Sequence, residues 1–333
     1  MWRGRCWGCM GWGVEGWVGE ADVFAAGRLN RSGEGVGGGR AAESGEKRTL
    51  MLDYTIITAT RDRAPTLARS LALTRQAVGD KVPLVVFDDA SEDGAAMRSV
   101  VERFSNALLI RSEERVGPGE GRNRCMMAAQ TRFCLALDDD CYLASQPQLG
   151  RWLEDRPGDR DVAVVSFPYF NTQEGALAPE RKEEGGAVGF HGGASLMRRA
   201  EVLRAGGYLD WLVFAGEDTE LAGRLIRLGY RVWFDPSVVV QHDHVPFARD
   251  ERWESFHYVR NTLLVNVLQK GVMLGVPLGL VRALRRGLTA VSMPWETPRA
   301  LMAGLGLVPK CVRERRRLYA PENGFIPEWK QPA

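Results

Sequence analysis

Apolar and polar positions alternate in blocks from residue 53 onward. Short runs rich in β-branched and other apolar side chains, at 54–59, 83–87, 108–110, 133–137 and 162–167, read as buried strands. Stretches with helical spacing separate them. Pro65 opens a helix that runs to about Val78 with Leu67, Leu71 and Leu73 on its apolar side, and further helices pass through Met97 and Val101 and through Met126 and Met127. Strands that alternate with helices predict an α/β fold, a single mostly parallel central sheet flanked by helices. In such sheets ligands sit beyond the carboxyl ends of the strands. Thr60 and Arg63, Asp88 and Asp89, and Asp138, Asp139 and Asp140 are therefore expected on one rim, although they are far apart in sequence.

The second half is less regular. Residues 171–186 are polar and charged, as in a mobile loop, and Phe190, His191, Gly192 and Gly193 lead into another apolar run. A helix carrying Leu221, Leu225 and Leu228 ends at Gly229, strands follow at 231–234 and 237–240, and 252–270 has helical character. Residues 271–281 are apolar but broken by Pro277. The pattern divides the chain in three. Residues 1–50 form a Gly-rich leader without periodicity, its Trp2, Trp7, Trp12 and Trp17 five apart, read as disordered or as an artefact of start-site choice. Residues 51–270 form the α/β domain, and residues 271–333 a basic, partly apolar helical C-terminal extension. No run of about eighteen apolar residues occurs, so no spanning helix is expected.

Composition adds little until it is read locally. The 333 residues are 45% hydrophobic, enough for a sizeable core, and 44 Lys and Arg against 42 Asp and Glu leave a formal charge of +2, which points away from nucleic acid. From Lys270 to Ala320, however, ten Lys and Arg stand against two acids. Such a segment suits docking on an anionic membrane surface, and equally a solvated basic helix packed on the core. Six irregularly spaced cysteines (Cys6, Cys9, Cys125, Cys134, Cys141 and Cys311) resemble reduced usage rather than a disulfide framework, and Cys6-x-x-Cys9 is only half a zinc site. The reading is a cytoplasmic protein, peripheral at the inner face of the cytoplasmic membrane if the basic segment docks there.

The greatest chemical content lies at 133–140, an apolar run that ends in Asp138, Asp139 and Asp140. Adjacent acids raise one another's pKa unless a cation or donors intervene. The triplet is thus a cation site, or else a solvated acidic turn. Gly192 and Gly193 permit close approach of backbone to a ligand, or mark a bulge. Glu217 and Asp218 stand at a helix start, where acids also serve the helix dipole. The strand at 237–240 points into His242, with His244 two residues beyond.

Thr60-Arg61-Asp62-Arg63 after a strand, Asp88-Asp89-Ala90-Ser91, Gly121-Arg122-Asn123-Arg124, Asp138-Asp139-Asp140, Gly216-Glu217-Asp218 and a strand ending in His242 follow in order. In this, residues 53–270 resemble family 2 glycosyltransferases of GT-A fold. The resemblance implies inverting transfer of a sugar from a UDP-, dTDP- or GDP-linked donor to a hydroxyl of a glycan or lipid-linked acceptor, as in polysaccharide or cell-envelope assembly. It also implies Mn²⁺ or Mg²⁺ as cofactor, a hard cation that neutralises the leaving diphosphate. By this likeness Asp138, Asp140 and His242 would hold the metal, and the imidazole favours Mn²⁺. Thr60, Arg63, Asp88, Asp89, Arg122, Asp138 and Asp139 would bind the nucleotide sugar, with Arg122 at a helix start reaching the diphosphate. Asp218 would deprotonate the acceptor hydroxyl, Glu217 would orient that base or the acceptor, and His191, Gly192 and Gly193 would line the acceptor side. Asp62 and Ala90 depart from the family, which commonly has Asn and Gly there.

Two other classes compete with this reading. An inactive nucleotide-sugar or glycan-binding module on the same fold is disfavoured by the intact Asp138, Asp140, Asp218 and His242. A nucleotidyltransferase needs a glycine-rich loop with a basic residue, which has no counterpart after Ala59. Arg249-Asp250-Glu251-Arg252-Trp253 spells the R-x-x-R-W pattern of processive polysaccharide synthases, but those also carry spanning helices, so Arg252 and Trp253 read as helix or acceptor-rim residues.

Overall fold

The computed structural model describes residues 53–144, 149–154, 157–173, 175–177, 183–243 and 250–319. The leader at 1–50, with Cys6 and Cys9, lies outside them, as do His244 and Arg249. Strands β1 (Tyr54–Thr60), β2 (Leu84–Asp89), β3 (Ala107–Ser112) and β4 (Phe133–Leu137) pair in parallel in the order β3-β2-β1-β4. Helices α1 (Ala64–Val78), α2 (Gly94–Val101) and α3 (Pro118–Ala128) connect them. In β4, Phe133, Leu135 and Leu137 enter one core while Cys134 and Ala136 enter another. A strand buried on both faces must be apolar throughout, which is why its sequence shows no alternation.

Past β4 the sheet changes direction. β10 (Ala194–Arg198) runs antiparallel to β4 with Ala194 opposite Leu137, and β6 (Val162–Ser166), β11 (Arg231–Phe234) and β9 (Gly185–Ala187) complete eight strands. A second sheet, ordered β5-β12-β7-β8, joins β5 (Cys141–Leu143), β12 (Val240–His242), β7 (Tyr169–Asn171) and β8 (Ala176–Leu177). Strands of two or three residues are too short for periodicity to register, so the sequence pattern does not reveal this sheet. Three differences follow. The stretch at 171–186 holds short strands where a loop is expected, β12 starts three residues later than the expected strand, and His242 lies within it. Gly192 and Gly193 occupy a turn just before β10, not a bulge within a strand.

Helices α4 (Gly150–Leu153), α5 (Arg199–Arg204), α6 (Glu217–Arg227), α7 (Glu251–Thr289) and α8 (Thr297–Leu318) complete the chain. α7 and α8 form a third core with Leu209 and Leu212. No spanning helix is expected from the sequence; by length and composition α7 is long and apolar enough to cross a membrane. It is nevertheless folded back on itself. Gly271 leaves helical geometry at φ 77°, and Gly275 and Gly279 then lie against Val267 and Leu263 of the preceding half. The break falls at Gly271, and Pro277 is accommodated inside the helix.

One buried ion pair ties these layers together. Arg224 and Glu220, both without solvent exposure, meet at 2.8 Å, and Arg224 also donates to the carbonyls of Ala205 and Gly207. Tyr319, just past α8, donates its hydroxyl to Glu220 at 2.9 Å. Removing one partner of such a pair leaves an uncompensated buried charge. Arg224→Ala should therefore cost about 3–5 kcal/mol of stability. Arg231→Ala, which breaks the exposed pair with Asp161, should cost less than about 1 kcal/mol. Urea unfolding of both variants checks the ranking.

Candidate active site

The parallel register sets the carboxyl ends of β1, β2 and β4 side by side, with Thr60 opposite Asp88 and Ile57 opposite Ala136. Thr60, Arg63, Asp89, Arg122, Asp138, Asp139, Asp140, His191, Gly192, Gly193, Glu217, Asp218 and His242 border one cavity of ≈ 390 Å³. Asp88 is turned away from it. Its buried carboxylate accepts the Ser91 N–H at 2.9 Å and is paired with Arg111. Asp89 does border the cavity, but its oxygens accept the N–H groups of Val116 and Gly117 at 2.6 and 3.0 Å, so it braces the approach to α3.

Within the triplet the three acids have different partners. Asp139 is buried, accepts the Thr60 hydroxyl at 2.7 Å and Arg63 Nη1 at 2.6 Å, and its carbonyl accepts Ser70 Oγ. Burial, with the charges of Asp140 and Asp138 beside it, lifts Asp139 to about 7 against the pull of Arg63 and the Thr60 hydrogen bond. Asp140 is also buried, yet the hydrogen bond and charge of His242 and those of Arg63 outweigh desolvation and hold it below its ordinary value. Asp138, with a side chain 41% exposed, meets Arg122 Nη2 at 2.6 Å.

β12 brings His242 to this rim through backbone pairing. His242 lies opposite Cys141, Asp243 N–H donates to the Asp140 carbonyl at 2.9 Å, and His242 Nε2 stands 3.5 Å from Asp140 Oδ1. Asp140, Cys141 and His242 offer ligand atoms within 4.8 Å of one another. Burial first, and then the neighbouring acids, keep the Cys141 thiol well above its ordinary pKa, so it is a poor anionic ligand. A carboxylate and an imidazole with room for phosphate oxygens fit a hard divalent ion such as Mn²⁺. Asp138, expected as a third ligand, stands outside this group and turns to Arg122.

Across the cavity, the backbone is thinned to let charges meet. A Cβ on Gly193 would fall 2.1 Å from Asp138 Cγ, and one on Gly192 would fall 2.4 Å from Asp218 Oδ1 and 2.7 Å from Arg122 Nη1. Gly192 N–H donates to Asp218 Oδ2 at 3.1 Å, whereas Oδ1 of Asp218, Oε2 of Glu217 and Nη1 of Arg122 are buried without a hydrogen-bond partner. Arg122 Nη1 lies 3.8 Å from both Glu217 and Asp218. Arg122 is not at a helix start as expected, because α3 already begins at Pro118 and absorbs the glycine loop. Burial, with Asp218 next, raises Glu217 to about 8; burial also raises Asp218, against Arg122.

The segment before α6 is backbone under strain. Val213 and Ala215 both have positive φ, at 63° and 59°, and Asn261 Nδ2 faces the carbonyls of Leu212, Phe214 and Ala215 at 2.6, 2.6 and 2.9 Å. Asp62 and Ala90, the two departures from the family pattern, also sit at positive φ, 55° and 57°. The cavity has an aromatic wall that local motifs do not announce. Tyr169 lies between the His191 and His242 rings at 4.8 and 5.0 Å, and the Arg115 guanidinium stacks 3.5 Å from the Trp253 ring. The R-x-x-R-W string was the one available signal for Trp253. Its neighbour Arg252 instead pairs with Glu296.

Residues 55–201 match the model of the family described as Glycosyl transferase family 2. Over that stretch the chain is similar to family 2 glycosyltransferases. Two curated proteins of Mycobacterium tuberculosis, from strains CDC 1551 / Oshkosh and ATCC 25618 / H37Rv, are each named pre-mycofactocin glycosyltransferase. Each is 27% identical to the chain over 217 residues. The match covers 60% of this chain and 44% of theirs, so the chain spans less than half the length of these curated relatives. Among solved structures, S. aureus TarS 1–349 in complex with UDP-GlcNAc superposes with a TM-score of 0.54 at 17% identity, covering 80% of this chain and 83% of that one. The mannosyltransferase PcManGT from Pyrobaculum calidifontis, in complex with GDP-Man and Mn²⁺, gives 0.50 at 20% identity over 81% and 83%. The likeness to these structures is one of fold, and that fold is GT-A.

The domain should show the dry Glu217 corner in its pH dependence. A carboxyl held near 8 when folded and near 4.5 when unfolded keeps a proton that the unfolded chain has lost, so stability falls as pH rises between those values. Asp139, raised to about 7, adds a slope of the same sign over the lower part of that window. Glu217→Gln should remove the Glu217 share and flatten the melting temperature against pH. Identical slopes for variant and parent would contradict the assignment.

Proposed function

We propose that the domain transfers a sugar, with inversion, from a nucleotide-diphosphate donor to a hydroxyl of a glycan or lipid-linked acceptor. The observation that carries the proposal is one cavity with a metal-suited carboxylate and imidazole, Asp140 and His242, on one side and Asp218 on the other. The family match, the transferase names of the curated relatives, and the nucleotide sugars bound by the structural neighbours support it. The division between a catalytic unit at 51–270 and a helical extension at 271–333 belongs to the same proposal.

Asp140 and His242 would hold a divalent ion, which supplies charge neutralisation for the leaving diphosphate. Arg122 adds a fixed positive charge on that side, with one nitrogen on Asp138 and Nη1 left for a ligand oxygen. Asp218 takes the proton of the attacking hydroxyl at Oδ1, the oxygen without a hydrogen bond, while Gly192 N–H fixes Oδ2 and hence the direction of Oδ1. Its raised pKa makes it a stronger base than an exposed aspartate. Glu217, protonated near neutrality, stands beside Asp218 as a neutral neighbour and adds no second negative charge.

Two substitutions separate the roles. Asp218→Asn should lower transfer by roughly 10²–10⁴-fold while retaining donor binding. Asp140→Ala should lose the Mn²⁺-dependent part of donor binding itself. Thermal shift with UDP-GlcNAc or GDP-mannose and Mn²⁺ reads binding, and release of nucleotide diphosphate in the presence of acceptor reads transfer. Wild-type transfer by Asp218→Asn would sink the base assignment.

A further inference from the structure

Along 272–289 large and small side chains are arranged the opposite way from a helix that faces water. Gly275, Gly279, Ala283 and Gly287, every fourth residue, are buried, and a Cβ on Gly275, Gly279 or Gly287 would come within 3 Å of Val267, Leu263 or Thr297. Met273, Leu274, Val281, Leu284 and Leu288 face outward, Met273 being 87% and Leu288 75% exposed. Leu263 touches the Cβ positions of both Gly279 and Gly304, so the second half of α7 and α8 lie side by side over the first half. Trp295 between them, and Met302 on α8, are also exposed, at 67% and 75%.

We propose that the second half of α7 and α8 form a membrane-docking surface that lies in the interface of an anionic phospholipid bilayer. The charges around this face select the occupant. Residues 271–295 contain no acid, Arg285 stands exposed between Leu284 and Leu288, and Arg299, Arg313, Arg316 and Arg317 are exposed on α8. The two acids of this region are committed, Glu296 to Arg252 and Arg299 and Glu314 to Arg317. An apolar surface with a cationic border matches lipid tails beneath anionic headgroups. A second copy would instead press like charges together in a drying interface. The surface lies on the bilayer and does not span it, because one side of 272–289 is already packed on the first half of α7, with Arg282 and Arg286 held by Asn266 and Thr262. Residues 290–292, which join the two helices, also border the cavity, so docking sets the cavity one connection away from lipid.

The test needs neither donor nor metal, so its outcome is separate from that of the transfer proposal. Purified protein is sedimented with vesicles of phosphatidylcholine, or of phosphatidylcholine and phosphatidylglycerol in equal parts. The protein should bind the anionic vesicles, with binding that falls as salt rises. Leu274→Glu/Leu288→Glu, at two exposed positions, should lower partitioning at least about tenfold without changing the melting temperature. Arg285→Glu should lower it roughly 30-fold on anionic vesicles only. Wild-type protein that ignores anionic vesicles, or a double variant that binds like wild type, overturns the proposal. So does a wild-type dimer in light scattering that the double variant dissociates, since the face then belongs to a second copy.

Discussion

Acidic side chains drawn together at a partly buried site need a cation among them. Arg122 is that cation. It reaches from α3 to Asp138 at the end of β4 and to Glu217 and Asp218 at the start of α6, and desolvation of its own guanidinium is outweighed by these acids, so its pKa stands well above the ordinary value. Even with Arg122 in place Glu217 keeps its proton near neutrality, and a chain with a neutral residue here would push the remaining acids further toward protonation or apart. The arrangement therefore depends on a single buried side chain that belongs to none of the acid motifs.

The strand–helix alternation, the rim and the acid positions were legible in the sequence because they rest on local signals: apolar runs, a proline at a helix start, carboxylates at a strand end. What was not legible depends on pairing between distant segments. Asp88 and Asp89 read alike as a dipeptide, but the side-chain alternation of a strand sends one toward Arg111 and the other toward the α3 approach. His242 looked like a residue delivered by a preceding strand, and is held instead by β5 and β7 on either side. The reversal of α7 at Gly271 is invisible to periodicity, since both halves are helical and only one residue differs.

Part of the backbone strain falls on the side where the base sits. The segment at 213–216 has two non-glycine residues with positive φ and is kept there by Asn261 from α7, a helix that otherwise takes part in a separate core. Such strain persists only where the surroundings over-determine it. The packing of α7 thus bears on where α6 begins, and so on where Asp218 points.

The turn at Gly192 and Gly193 joins the two sides of the cavity. One glycine holds Asp218 through its N–H, the next accepts the Asp138 N–H with its carbonyl at 3.3 Å, and the two are adjacent in the chain. The β4 acids and the base are therefore linked through two adjacent residues of one turn. A slide of β10 along β4 would break the Asp138 contact and shift the Gly192 contact to Asp218 at once, so the register of this one strand pair bears on both halves of the site.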